Sequence, residues 1–239
     1  TTQSWNCGRR KSSKIEWIDS YFRAWFNTWH DWHLKIAISQ QADIKKKALT
    51  TGIRVGTEVK TKFMRPFISE ASPEGFYMLN IDKTLSRIKT AATFANHFEA
   101  KKIIVCSGKE YATTPIEKFT ELTGTVPMLR RFMPGTLTNP SLPYYIEPHL
   151  IIISDPEVDG QAIIEATNAG IPVIGLSNTN NVTSNLDLII PANNRGRKAL
   201  ATIYWLLARE ILIQKGELKE DQDMKYEIDD FETKIEEEL

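Results

Sequence analysis

Residues 150–176 read LIIISDPEVDGQAIIEATNAGIPVIGL, and this stretch decides the fold. It contains two short apolar runs, Leu150–Ile153 and Pro172–Leu176, each of a length typical of strands that are buried on both faces. Between them apolar residues recur at helical spacing, and Gly170 is the residue type that commonly ends a helix. A strand, a helix and a strand in this order predict a right-handed crossover between two parallel strands.

The same alternation continues outward along the chain. Further apolar runs predict strands at Phe76–Leu79, Ile103–Val105 and Leu188–Ile190. Helical spacing predicts one helix between Leu85 and Phe98 and a last helix from about Gly196 to Gln214, with Gly216 as its stop. We expect the apolar middle of the last helix to be buried. The predicted fold class is α/β, with a mostly parallel, doubly wound sheet.

The first 36 residues differ in kind and hold five of the six tryptophans. Aromatic and isoleucine side chains follow one another at intervals of three and four residues, which predicts an amphipathic helix. Three interpretations remain open: packing on the chain's own domain, docking on another protein, and lying on a membrane surface. Acidic residues in the segment disfavour a membrane, because anionic lipids favour a basic polar face. A docking helix would use Phe22, Trp25, Trp29 and Trp32.

The formal net charge is zero, but the charge is unevenly distributed. Residues 217–239 carry eleven acidic and three basic side chains, which leaves 27 basic and 19 acidic side chains in residues 1–216. The body is therefore basic enough to bind a polyanion. We divide the chain into an amphipathic extension (1–36), an α/β domain (37–216) and an acidic tail (217–239), and we predict a loosely packed or partner-dependent tail.

Membrane and secretory features are not predicted. The sequence has no stretch of 18 uncharged apolar residues and no secretory signal at its N-terminus. Cys7 and Cys106 lack the spacing of zinc or redox motifs, which favours reduced thiols. We therefore expect a cytoplasmic protein that binds no membrane.

Motifs for catalysis and nucleotide binding are incomplete. There is no G-x-G-x-x-G, and the phosphate-loop pattern at Gly108–Lys109 lacks its first glycine. Gly175–Thr179 resembles a nucleophile elbow but ends in threonine instead of glycine. After the Leu150–Ile153 strand, a helix-capping role explains Asp155 or Asp159 better than catalysis does. We expect no catalytic residue.

The histidines do not predict a metal site. His30 and His33 flank Asp31, but no convincing further ligand accompanies them, and stacked or solvated histidines explain the pattern better. We expect no metal, no cofactor and no small-molecule substrate. A nucleotide- or sugar-binding enzyme that uses the crevice of the sheet remains an alternative.

Three basic segments interrupt the domain. Residues 45–65 form a glycine-interrupted basic loop, and residues 130–140 place two arginines before a turn rich in hydroxyl and amide groups. Residues 193–198 precede the last helix, where free N–H groups favour anions. One such segment is usually only a solvated surface, but three in one domain favour polyanion binding.

Several stretches resemble, in order along the chain, the small-subunit ribosomal protein two family. They are Gly56–Lys62, Met64–Ile68, Arg131–Pro140, Glu147–Pro148, Ser154–Ala162, Ile190–Leu200 and Tyr204–Glu210. The residues of these motifs resemble most closely those of the archaeal and eukaryotic branch. One departure is Arg54, which stands where the family usually has a histidine, and the first 35 or so residues also depart from the pattern.

The resemblance implies a three-layer Rossmann-like (flavodoxin-like) domain without a catalytic role, placed between the head and the body of the small ribosomal subunit. Such a protein contacts ribosomal RNA and neighbouring ribosomal proteins and contributes to subunit assembly and translation. We therefore expect a structural constituent of cytoplasmic ribosomes. A protein-interaction module, in which the tryptophan helix and the acidic tail bind and RNA contact is secondary, remains an alternative.

In the leading hypothesis, cations hold phosphates while neutral groups add hydrogen bonds, and RNA shape supplies the specificity. The cations are Arg54, Lys60, Lys62, Arg65, Arg130, Arg131, Arg195, Arg197 and Lys198. The neutral groups are Thr136, Thr138, Asn139, Asn193 and Asn194.

Overall fold

A five-stranded parallel sheet lies at the centre of the structure, a computed structural model that describes residues 45–219, 222 and 224–234. The strands in chain order are β1 (Ile68–Ala71), β2 (Tyr77–Leu79), β3 (Ile103–Ser107), β4 (Val126–Leu129), β5 (Leu150–Ile153), β6 (Val173–Ser177) and β7 (Leu188–Pro191). The first two strands pair antiparallel as a separate ribbon, while the other five form the sheet in the order β4-β3-β5-β6-β7. Neighbours in this sheet are all parallel.

Helices cover both faces of the sheet. They are α1 (Ile81–Ala95), α2 (Thr113–Thr123), α3 (Gly160–Ala169) and α4 (Arg197–Lys215). On one face, α1 and α2 both pack against the central α4, whose middle is buried as predicted. On the other face, Ala162, Ile163 and Ala166 of α3 pack against strand residues such as Ile151 and Ile153. The result is a three-layer α/β domain.

The strand order confirms the predicted fold class. Numbered from β3, the five parallel strands lie in the order 2-1-3-4-5, which is the flavodoxin-like order. The predicted strands at Ile103, Leu150, Val173 and Leu188 are all present. Gly170 and Gly216 end α3 and α4 in the left-handed conformation, with φ of 70° and 77°, as their residue type predicts.

Three elements were not predicted, namely β1, β4 and α2. Both strands have four residues, and neither contains a fully buried residue, so neither has the continuous apolar run of a central strand. The helix α2 begins with two threonines and a proline, and its buried face includes Thr120 and Thr123. A buried face that includes threonines gives a weak helical signal in the sequence.

The acidic tail packs on the domain, so its prediction as a loosely packed segment is wrong for residues 224–234. The side chain of Phe231 is fully buried, and Trp205 Nε1 of α4 donates to the carbonyl oxygen of Tyr226 at 2.9 Å. Tyr226 also donates its hydroxyl to Glu121 of α2 at 2.6 Å. The tail therefore crosses α2 and α4 and is held by its main apolar anchor Phe231, by the buried side chain of Met224 and by several polar contacts.

The tryptophan-rich extension, with Phe22, Trp25, Trp29 and Trp32, lies outside the described residues, and the division of the chain at residue 36 stays a prediction. The candidate histidine cluster at residues 30–33 also lies outside them. No helix among the described residues is long and apolar enough to cross a membrane.

Replacing the tail anchor, Phe231→Ala, should release the tail while the sheet stays folded. Removing a buried phenylalanine side chain costs about 3–5 kcal/mol, more than a short surface segment can replace with polar contacts. Hydrogen exchange should become fast in residues 224–234 and stay slow in β3 and β5. The exposed neighbour change Asp229→Ala serves as the control and should leave both regions protected. Unchanged protection of the tail in Phe231→Ala would contradict its role as the anchor.

Candidate nucleic-acid interface

One edge of the sheet collects the three basic segments. The carboxyl ends of parallel strands meet at the same edge, so residues 130–140 after β4 and residues 193–198 after β7 both lie there. Residues 45–65 reach that edge through the loop after β6, because Thr61 donates its backbone N–H to the carbonyl oxygen of Thr179 at 2.9 Å. The structure thus brings together segments that are far apart in sequence.

Gly56 and Thr57 attach the first basic segment to the edge. The backbone N–H of Gly56 donates to Tyr77 O at 2.8 Å, and that of Thr57 donates to Thr179 Oγ1 at 2.8 Å. A Cβ on Gly56 would lie 2.6 Å from Thr179 Cγ2 and closer still to the Tyr77 carbonyl oxygen. Gly56 must be glycine because the chain passes close to β2 and to the loop after β6 at this position. Gly56 and Thr57 together fix the position of the first basic segment.

The third segment is fixed by asparagine side chains. Asn193 accepts from the backbone N–H of Arg195 at 3.0 Å and donates to Gly52 O at 3.2 Å, which joins this loop to the first segment. Asn194 is buried and donates to Asn181 Oδ1 at 3.1 Å. These bonds hold the backbone ahead of α4 in one conformation.

A single carboxylate fixes the second segment. Glu165 of α3 accepts from the backbone N–H groups of Gly135 at 2.8 Å and Leu137 at 3.2 Å, and from Gln161 Nε2 at 2.8 Å. Burial by itself would raise the pKa of the Glu165 carboxyl, but these hydrogen bonds lower it. Glu165 therefore stays ionised and holds the loop on the domain.

Most of the predicted cations are exposed. They are Lys60, Lys62, Arg65, Arg130, Arg131, Arg195, Arg197 and Lys198. Arg54 is half-buried and lies 2.9 Å from Glu70, while Lys198 lies 4.0 Å from Glu232 of the tail. The ammonium group of Lys60 lies over the ring of Tyr77, 4.6 Å from its centroid. Arg54, Lys60 and Lys198 remain partly exposed in these contacts, so their positive charges stay available to a polyanion.

The neutral candidates divide into two groups. Thr138 and Asn139 are exposed, whereas Thr136 and Asn194 are 3% and 1% exposed. Thr136 donates its hydroxyl to Met133 O at 2.6 Å. Thr136 and Asn194 therefore stabilise the loops from inside, and the expectation that they contact RNA is revised. Asn193 is half-buried and also serves the loop.

Protein side chains bridge the crevice at the switch in strand order, between β3 and β5. Lys109 forms an ion pair with Asp155, and both are largely buried. Asp155 also accepts from Asn181 Nδ2 at 3.0 Å, and Lys109 donates to Asn194 O at 3.0 Å. In nucleotide-binding relatives of this fold class the ligand occupies this crevice. Here internal charges and amides take its place.

Asp159 lies under this network and does not cap the next helix. It stands at the N-cap position of α3 without a side-chain cap bond, and Oδ1 accepts instead from Gly108 N at 2.8 Å. Oδ2 is buried and has no hydrogen-bond partner among the described residues. Burial raises the pKa of Asp159 to about 6, although the bond from Gly108 opposes that shift. The capping role predicted for Asp155 or Asp159 is wrong because both side chains bind across the crevice or within their own turn.

Burial also raises the pKa of the Cys106 thiol, and the charge of Asp159 adds to the effect. The thiol is therefore protonated at neutral pH and unreactive. Among the described residues, no three His, Cys, Asp or Glu side chains converge in a way that would hold a metal ion.

Sequence reasoning missed the residues that hold the edge together, above all Lys109, Glu165 and Thr179. Lys109 and Thr179 were noticed only as parts of incomplete catalytic motifs. Each lies two residues after a parallel strand, β3 or β6, and this position was the signal that could have placed them at the carboxyl edge. Glu165 sits within a helix pattern and gave no signal.

Comparison with known proteins gives consistent matches. The family described as ribosomal protein S2 matches residues 49–142 and 144–213. A protein named small ribosomal subunit protein uS2 from Nitrosopumilus maritimus is 72% identical over 204 residues, which cover 84% of this chain and 99% of that protein. Proteins of the same name from Cenarchaeum symbiosum and Thermofilum pendens are 62% and 49% identical, covering 77% and 78% of this chain and 89% and 87% of their own lengths.

The substitution Gly56→Ala should displace the first basic segment. The added Cβ meets a carbonyl oxygen and a packed threonine at distances that real Cβ atoms do not adopt, so the loop must move. We expect a stability loss of about 1–3 kcal/mol, as for other overpacking changes. Chemical denaturation would measure it. Gly160→Ala is the control, since its φ, like that of Gly56, lies outside the left-handed region and no atom lies within 4 Å of the added Cβ. An unperturbed Gly56→Ala protein would contradict the close approach.

Asp159→Asn should change how stability depends on pH. The carboxyl has a pKa of about 6 in the folded protein against 3.8 ordinarily, so the folded state binds the extra proton. Its contribution to folding is complete below about pH 4 and is lost as the pH rises through 6, a loss of about 3 kcal/mol. Urea denaturation between pH 4 and 7 should show the wild-type protein losing stability relative to Asp159→Asn as the pH rises. The exposed control Glu74→Gln should track the wild-type protein, and parallel curves for wild type and Asp159→Asn would refute the shift.

Proposed function

Since the chain belongs to the ribosomal protein S2 family, whose members are structural proteins and not enzymes, we propose that it is a constituent of the small ribosomal subunit that binds ribosomal RNA. The relatives that match it over most of its length carry the name of a small-subunit protein. The expected location is the cytoplasmic ribosome. Assembly of the subunit and translation are the processes that it would serve.

One observation supports RNA as the direct ligand: the exposed cations of three distant segments share one edge of the sheet. Adjacent strands lie about 4.8 Å apart, so the four spacings from β4 to β7 extend over roughly 20 Å. A duplex carries one negative charge per about 1.7 Å of axis, so an edge of this length faces many phosphates at once. The edge therefore matches a backbone-binding surface and not a site for one small anion.

The internal hydrogen bonds of the loops support the same proposal. Glu165, Thr179 and Asn193 hold the three segments before any ligand arrives. Less conformational entropy is then lost on binding, which increases affinity without a new contact. In this proposal Lys60, Lys62, Arg65, Arg130, Arg131, Arg195, Arg197 and Lys198 contact phosphates, with Arg54 partly neutralised by Glu70 and with Thr138 and Asn139 adding neutral bonds.

Contacts with neighbouring ribosomal proteins are part of the proposal. Phe22, Trp25, Trp29 and Trp32 are the candidate docking residues in the amphipathic extension. The family match begins at residue 49, so the extension is outside the part of the chain that the family describes. Deleting residues 1–36 should preserve RNA association and remove a protein partner.

The double substitution Lys60→Gln, Lys62→Gln should weaken binding to a small-subunit ribosomal RNA fragment and flatten its salt dependence. Each lost phosphate contact reduces the slope of log K against log salt by about 0.7–0.9, so we expect a decrease of about 1.5. Titrations at several salt concentrations would measure both quantities.

The matched control is Lys89→Gln, Lys101→Gln, which removes the same charge. Lys101 lies in the helical turn Ala100–Lys102 that leads into β3 at the amino end of the sheet, and the carbonyl oxygen of Lys89 lies 3.5 Å from Gln214 Nε2 near the end of α4. This control should keep the wild-type slope. An equal loss in both double variants would mean that net charge, and not the carboxyl edge, determines binding.

A further inference from the structure

A groove lies between the first and third basic segments, at the carboxyl ends of β6 and β7. Its volume is about 700 Å³, and its walls include Glu58, Val59, Phe76, Asn180 and Arg195. Sites for small organic ligands typically have volumes of about 300–1,000 Å³. The groove is therefore large enough for one nucleotide and too small for a duplex.

We propose that this groove binds one unstacked guanine nucleotide of an RNA strand. The proposal rests on the proposed function, since it takes RNA as the ligand of the carboxyl edge, and it adds a site that reads a base. RNA is recognised by sequence chiefly where single bases are splayed out, stacked on aromatic rings and hydrogen-bonded along their edges. The groove offers each of these interactions.

The apolar wall provides a stacking surface. Phe76, which precedes β2, is 36% exposed, and Val59 of the first basic segment is 61% exposed. Packing against other described residues leaves both apolar side chains open to solvent. A base that stacks on an aromatic ring contributes about 1–3 kcal/mol to binding, which is enough to hold it out of an RNA stack.

The carboxylate of Glu58 distinguishes guanine from the other bases. It is the one acidic residue in the basic segment 45–65, and it makes no ion pair or side-chain hydrogen bond with any described residue. A carboxylate repels phosphate, so Glu58 is unfavourable in a surface that binds only the RNA backbone. It becomes favourable if the ligand places a hydrogen-bond donor against it. The N1–H and N2–H₂ groups of guanine form two adjacent donors that match the two carboxylate oxygens. Adenine, cytosine and uracil place an acceptor beside their donor.

Arg195 supplies the charge for the phosphate of the same nucleotide. Its side chain is exposed and makes no ion pair among the described residues, while its backbone N–H is fixed by Asn193. Guanidinium groups bind phosphate oxygens through two parallel hydrogen bonds. Lys60 and Lys62, in the loop that also carries Glu58, would bind the phosphates that follow.

The test uses the full chain and fluorescent RNA pentamers UUXUU in which X is guanine, adenine, cytosine, uracil or hypoxanthine, with GMP as a separate competitor. The wild-type protein should prefer guanine by about 5- to 150-fold, the range for one good bidentate contact. Hypoxanthine lacks the N2 amino group and should bind less tightly than guanine. GMP should compete only at much higher concentration than the guanine pentamer, because it lacks the neighbouring phosphates.

Two substitutions separate the parts of the site. Glu58→Gln should abolish most of the guanine preference while leaving binding of the uracil pentamer equal or tighter, because a negative charge is removed. Glu74→Gln, which removes an exposed carboxylate that does not line the groove, should keep the preference. Phe76→Leu should lower the affinity for all five pentamers and retain their order of affinity.

Equal affinity for all five pentamers would overturn the base-reading site and leave backbone binding, and with it the proposed function, intact. A guanine preference that survives Glu58→Gln would also overturn it. If GMP binds as tightly as the guanine pentamer, the groove is a site for free nucleotide and not for RNA. A Phe76→Leu protein that binds the pentamers normally but no longer joins the small subunit would identify a protein occupant and refute the proposal. No binding of any RNA, including the ribosomal fragment, would contradict the proposed function itself.

Discussion

The hydrogen bonds at the carboxyl edge of the parallel sheet are the constraint on which the rest of the structure depends. Parallel strands end together, and the loops that leave them expose polar backbone groups in a half-buried place, where an unpaired group costs free energy. In this protein the pairing partners are internal: the Lys109–Asp155 ion pair, Asn181, Asn193 and Asn194. The groups that stabilise the edge therefore span the space between β3 and β5.

In the proposed function, RNA binds the outer surface of the edge and not the space between β3 and β5. The same bonds that satisfy the buried groups also fix the loops, so the exposed cations are carried on a rigid support. A large polyanion needs such a surface, since many weak phosphate contacts must form together. The bonds across the space between β3 and β5 and the fixed position of the exposed cations therefore have one physical origin. The groove beside Phe76 is the place where this surface becomes concave enough to admit a single base.

Particular elements show how far sequence reasoning reached. The central strands β3, β5, β6 and β7 were found because continuous apolar runs need burial on both faces, and α4 because its middle is apolar on every side. The strand β4 was missed because it lies at the edge of the sheet and is only half-buried. The tail was judged by its charge, yet Phe231 is fully buried. Met224 and Phe231 are isolated apolar residues in a charged segment and show no periodicity, so the surface that buries them must be known first.

The sequence by itself determined the fold class, the basic body and the family, because these depend on patterns that are local or that recur in order along the chain. Eight of the nine predicted cations are exposed, and their contact with RNA stays a prediction. Only the tertiary structure decided which polar residues face outward: Thr136 and Asn194 look like Thr138 and Asn139 in sequence but are buried. It also decided that Lys109 and Asp155 pair across the crevice and that Glu58 lines a groove. The groove depends on contacts between segments more than a hundred residues apart, such as Thr57 with Thr179, and the ion pair joins residues 46 positions apart; no local pattern encodes such pairings.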